Sequence, residues 1–142
     1  LVRYLLDKGG DLNAKNNIKR IYVPNDLVGT LKDVPDDVEI ISKSADIFCE
    51  ENIKTDGVLV SSPAAIYKYQ DKEIYGDFRL NVFNSQTAQH YGDLKTVTLS
   101  PELNLHEIAD LCENTNADLE VIGYGHIPLM MMKNCPIKAM GK

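Results

Sequence analysis

Short apolar, β-branched runs recur along the chain without strict alternation, at residues 21–23, 38–41, 57–60, 78–83, 96–99 and 119–122. Runs of this kind read as strands covered on both faces. Between them the apolar spacing lengthens towards the helical period. It is clearest at Leu105, Ile108, Ala109, Leu111 and Cys112, behind the start signals Ser100, Pro101, Glu102 and Asn104. That pattern predicts a helix over residues 105–113, with Cys112 on its core face. Shorter helices are expected over 27–31, 45–51, 64–69 and 86–91. Residues 1–20 read as a lead-in, with a helix over 1–8 stopped by Gly9 and Gly10 and a polar stretch after it. The whole chain, 1–142, reads as a single α/β domain.

A strand followed by a short helix, repeated, predicts parallel neighbouring strands joined by right-handed crossovers. Two architectures satisfy this, an open doubly wound sheet and part of a (β/α)8 barrel. Eight units at the observed spacing of roughly 20 residues would need about 160, and whole barrels run to about 250. A chain of 142 residues is therefore expected to hold only part of a barrel. In either architecture ligands bind beyond the C-terminal ends of the strands. The residues just past the runs are polar or small there: Asn25 and Asp26, Ser42 to Ser44, Ser61 and Ser62, Asn84 and Ser85, Ser100 with Glu102, and Tyr124 with His126. Such a rim serves either a binding site or ordinary helix capping and loop solubility.

Composition narrows the class. Hydrophobic residues make up 44% and charged residues 25%, with 15 basic and 21 acidic side chains for a net charge of -6. A general nucleic-acid surface is disfavoured, because phosphate binding needs clustered Lys and Arg, and Lys133, Lys138 and Lys142 are merely dispersed near the end. The three cysteines, Cys49, Cys112 and Cys135, are an odd number, which fits a reducing, cytoplasmic setting. No apolar run approaches the roughly 18 residues of a membrane span, so no membrane partner is expected. Leu1 in place of an initiating Met suggests an excerpt of a longer protein. There is no GxGxxG, Walker or GxSxG motif. His106-Glu107 opens like a zincin helix, but Asp110 stands where the second His ligand would be.

The segment 119–137, LEVIGYGHIPLMMMKNCPI, carries the specific signal. With Leu80-Asn81-Val82-Phe83-Asn84-Ser85 and Thr98-Leu99-Ser100-Pro101-Glu102-Leu103 it closely resembles peptidase family U32, the collagenase-like proteases, one branch of which reads LNxFNS, then TLSPEL, then YGxxPLM and a downstream Cys. The resemblance covers about residues 57–142. It implies a TIM-like barrel of which this chain forms the later strands, that is, a partial (β/α)8 barrel of parallel strands alternating with short helices. Some members are described as collagen-degrading proteases. Others hydroxylate RNA bases or a quinone precursor and hold an iron-sulfur cluster on four cysteines. Cys135 matches one cluster position, while another falls at Pro128, so an intact cluster is expected only in a longer parent.

The residues themselves support several roles. Cys135 suits a soft-metal ligand, a nucleophile with His126 as its base, or a packed thiol beside Met130 to Met132. Glu120, inside a strand, either points into the barrel mouth or pairs with Lys or Arg. Glu102, between a strand and a helix, either favours the helix N-terminus or joins Glu120 at the rim as an acid-base or metal-binding pair. Asn81 and Asn84 offer donors and acceptors to a substrate or stabilise a turn. The expected site is thus Glu102, Glu120 and His126 as catalytic groups, Asn81 and Asn84 as substrate contacts, and Cys135 as a metal ligand. The resemblance implies a peptide substrate, with RNA or a quinone precursor as the iron-sulfur alternative, and binding without turnover is a third reading. Open strand edges would favour self-association.

Overall fold

The computed structural model describes residues 18–32, 34–44, 52–124, 126–128 and 136–141. Six strands form one parallel sheet in sequential order: β1 (Arg20–Pro24), β2 (Glu39–Lys43), β3 (Gly57–Val60), β4 (Glu73–Gly76), β5 (Thr96–Thr98) and β6 (Leu119–Glu120). Between and after them lie α1 (Pro63–Lys68), α2 (Ser85–His90), α3 (Leu105–Glu113) and α4 (Pro136–Ala139), with 3-10 turns at Val28–Thr30 and Phe78–Leu80. Sequential order with parallel pairing is what repeated βα units produce, and the sheet curls into a half-barrel. The expected partial TIM-like barrel is the observed fold.

Side chains alternate across each strand, so the register assigns the two faces. Pairing Tyr22 with Ile41, Lys43 with Leu59, Leu59 with Tyr75, Tyr75 with Thr96 and Thr98 with Glu120 puts these residues on one face. A bond from the Arg20 side chain on β1 to that of Glu120 on β6, 2.7 Å long, shows that the sheet is concave on this side, because only such curling lets side chains of the first and last strands meet. The opposite, convex face carries the helices. Val58 and Val60 pack there with Ala65 and Tyr69 of the α1 segment, and Val97 and Leu99 with Ala88 of α2, Leu111 of α3, Leu80 and Val82. Burying these aliphatic side chains supplies the main cohesion, at roughly 1.5–3 kcal/mol each relative to exposure.

Helix starts follow local chemistry. Ser62 and Asn84 cap α1 and α2, accepting from the N–H groups of Ala65 and Thr87. Asn104 opens α3 with a reciprocal pair, its Oδ1 accepting from Glu107 N at 3.1 Å while Glu107 Oε2 accepts from Asn104 N at 2.9 Å.

Three expectations need correction. The run 78–83 is not a strand. The fourth strand is Glu73–Gly76, and the run contains a 3-10 turn followed by Asn81 in the left-handed region, φ 55°, so that only Val82 joins the sheet, by a single bridge to Leu99. Leu80 and Val82 supplied the strand-like signal because both are buried beneath the turn. Cys112 is exposed, since α3 meets the sheet along the narrow seam of Ile108 and Leu111. At 27–31 only a 3-10 turn forms. The helices expected over 1–8 and 45–51 lie outside the described residues, as do Cys49 and Cys135.

Candidate functional site

The concave face is built around a charged network that links the first residues of β1 and β2 to the last residue of β6. Arg20, the first residue of β1, donates from Nε to Glu39 Oε2 at 2.9 Å and from Nη1 to Glu120 Oε1 at 2.7 Å. The Tyr22 hydroxyl donates to Glu120 Oε2 at 2.8 Å, and that of Tyr75 to Glu39 Oε1 at 2.7 Å. The guanidinium also stacks 4.3 Å from the centroid of the Tyr75 ring. Each carboxylate therefore has two donors, which is how charge is tolerated among Ile41, Leu59 and Tyr75.

Titration follows from these contacts. Burial pushes the Tyr22 phenol up, and the Glu120 carboxylate beside it adds to the effect, leaving it at about 12. Tyr75 is pushed well above the ordinary phenol range by burial and by Glu39. For Glu39 burial alone would raise the pKa, but the bonds from Arg20 and Tyr75 and the guanidinium charge outweigh it and hold the carboxyl low. Both phenols thus stay protonated as donors, and the network is a fixed set of charges.

A second polar group sits at the C-terminal ends of three successive strands. Lys43 is the last residue of β2, Ser61 follows β3 and Asp77 follows β4. Ser61 Oγ donates to Asp77 Oδ2 at 2.9 Å, the Lys43 ammonium lies 3.8 Å from that oxygen, and Asp77 Oδ1 accepts from Phe78 N at 2.9 Å. The Asp77 side chain is only 8% exposed against 30% for Lys43, so the carboxylate forms the floor and the cation the lip. Strand ends of a (β/α) barrel are where such barrels do chemistry. A hollow of about 800 Å³ beside Glu39, Thr55, Asp56, Asp71 and Glu73 opens at the N-terminal ends, the face that serves stability in this architecture.

The residues singled out from the sequence are dispersed around this frame. Glu120 resolves to the pairing alternative, bound to Arg20 within the concave face. Glu102 is exposed in the turn after β5, its N–H 3.5 Å from Ser100 Oγ. His126 is exposed beyond β6, and Asn81 is exposed at the end of the 3-10 turn after β4. Asn84 caps α2 and borders a groove of about 430 Å³ with Phe83, His106, Glu107 and Asp110. Among the described residues no hydrogen bond or ion pair joins Glu102, Glu120 and His126 to one another. Cys135 lies outside the described residues. Among those described, no group of three or more His, Cys, Asp or Glu side chains could hold a metal ion, and the one cysteine, Cys112, is exposed on α3. The described residues alone do not fit an iron-sulfur cluster.

Asp77, Arg20 and Tyr22 escaped the sequence reading. Placing the fourth strand at 78–83 put Asp77 before the strand instead of at its C-terminal tip. The usable signal was Glu73-Ile74-Tyr75-Gly76, an alternating run ending in a small residue and an acid. Arg20 precedes and Tyr22 interrupts the apolar pair Ile21 and Val23 of β1, and neither gave any indication that its partner lay on β6.

A curled parallel βα sheet with a charged bore and a polar rim at its strand ends defines a (β/α)-barrel protein. Within that class the model of peptidase family U32 matches residues 10–141, and the chain belongs to this family. No curated protein and no solved structure matches the chain. No helix among the described residues is long and apolar enough to cross a membrane.

Proposed function

We propose that this chain forms part of the substrate mouth of a U32-family hydrolase that cleaves peptide bonds. The observation that carries the reading is the convergence of Lys43, Ser61 and Asp77 on the C-terminal ends of three adjacent strands. Loops on the same side of the sheet contribute the other groups, Asn81 after β4, Glu102 after β5 and His126 after β6. In this reading Glu102, exposed and without an ion-pair partner among the described residues, activates water, and His126 donates the proton to the leaving amine. Glu120 acts as a fixed charge in the bore, and Asn81 contacts the substrate.

The test is proteolysis of casein and denatured collagen by chromatographically homogeneous protein. Cleavage should fall about 10²–10⁴-fold in Glu102→Gln or in His126→Gln. Homogeneous wild-type protein that cleaves neither substrate refutes the assignment.

A further inference from the structure

The turn at α4 stands clear of the core. Residues 137–141 are all exposed, with Ile137 at 63% and Met140 at 73%. A bond from Met140 N to Ile137 O, 3.2 Å long, carries the turn past Ala139, and residues three apart share one side of such a turn. Ile137 and Met140 thus make a small apolar face, with Lys138 next to it in the chain. The segment 129–142 around them holds three lysines and no acid. The groove that borders α2 and α3 has the complementary character. Phe83, 53% exposed, and Leu111 make it apolar, while Glu107 and Asp110 make it acidic. Those carboxylates accept from neutral N–H groups of Asn104 and Asn114, and among the described residues no ion pair neutralises either. A hollow of about 430 Å³ takes side chains from one short element instead of a broad face.

We propose that this groove receives α4 from a second copy of the chain, Ile137 and Met140 packing on Phe83 and Leu111 while Lys138 lies against Glu107 and Asp110. Apolar anchors three apart, seated in a groove with charge at its edge, are a general mode by which a helical segment is bound. Charge also selects the occupant. At a net charge of -6 two copies repel over most of their surfaces, so attraction is confined to a basic segment meeting an acidic site. The α4 of the same copy leaves its apolar pair exposed, so the groove is not filled from within. Groove and α4 are different patches, which makes the contact head-to-tail, and each added copy brings one further groove and one further α4. The inference goes beyond peptide cleavage and does not depend on it.

The experiment is sedimentation of the full chain over a concentration series, under reducing conditions, with two double variants. One, Phe83→Ala with Asp110→Lys, spoils the groove and keeps α4. The other, Ile137→Asp with Met140→Asp, spoils α4 and keeps the groove. All four positions are exposed, so thermal midpoints should stay within a few degrees of wild type. Wild type should associate, and each variant alone should do so at least about 10-fold more weakly, because interface anchors have been removed. An equimolar mixture of the two variants should regain dimers, since every such pair holds one intact groove and one intact α4. Added salt should weaken wild-type association by screening the lysine and carboxylate charges. A wild type that stays monomeric overturns the inference. So does association of either variant as tight as wild type, which would place the contact at the strand edges, or a mixture no tighter than its components, which would place α4 on its own groove.

Discussion

Glu39 shows how one side chain is held by partners from other strands. Its carboxylate receives Arg20 from β1 and Tyr75 from β4, and those bonds keep its pKa depressed in the folded state. A depressed carboxyl contributes stability that is full above its unfolded value of about 4.3 and is lost as pH falls through the folded value. Thermal midpoints measured from pH 6 to pH 2 should therefore fall more steeply for wild type than for Glu39→Gln, which starts lower and has less to lose. At this scale the sequence conveyed residue type better than partnership. It could show that Glu120 needs a cation if it does not face the mouth, but not which of the 15 basic residues supplies it, because Arg20 is 100 positions away.

Elements with both a start signal and a period were fully legible. The bounds of α3, Leu105–Glu113, coincide with expectation because Asn104 and Glu107 mark its start and Ile108 with Leu111 its buried stripe. Asn104→Ala removes an acceptor for two N–H groups, and unfolding by urea should show a loss of about 1 kcal/mol. The fourth strand was illegible for the converse reason. Glu73 and Tyr75 face the polar bore, so β4 lacks the continuous apolar run of its neighbours, whereas the 3-10 turn after it carries buried Leu80 and Val82 and imitates one. The rim divides similarly, Ser62 and Asn84 being spent on caps while Ser61 faces Asp77, a difference of tertiary placement that adjacent serines cannot express.

For the whole molecule, order along the sheet leaves β1 and β6 with one strand neighbour each among the described residues. Beyond β6, Val121, Ile122 and Tyr124 are exposed apolar side chains. Terminal strands next to apolar surface are templates for further pairing. Light scattering over a rising concentration series should show the chain passing from monomer to larger species, and a monomer throughout would contradict this.

The Arg20–Glu120 bond also bears on the order of folding. Closing a loop of 100 residues carries an entropy cost that contacts within each βα unit do not, so this ion pair should be absent when the rate-limiting barrier is crossed. Arg20→Met, which strands Glu39 and Glu120 without their cation, should destabilise by about 2–3 kcal/mol. In stopped-flow chevrons the share owed to Glu120, isolated in Glu120→Gln, should appear almost wholly as faster unfolding, while the share owed to the nearby Glu39 also slows refolding. The half-barrel would then owe its lifetime, more than its speed of assembly, to one guanidinium.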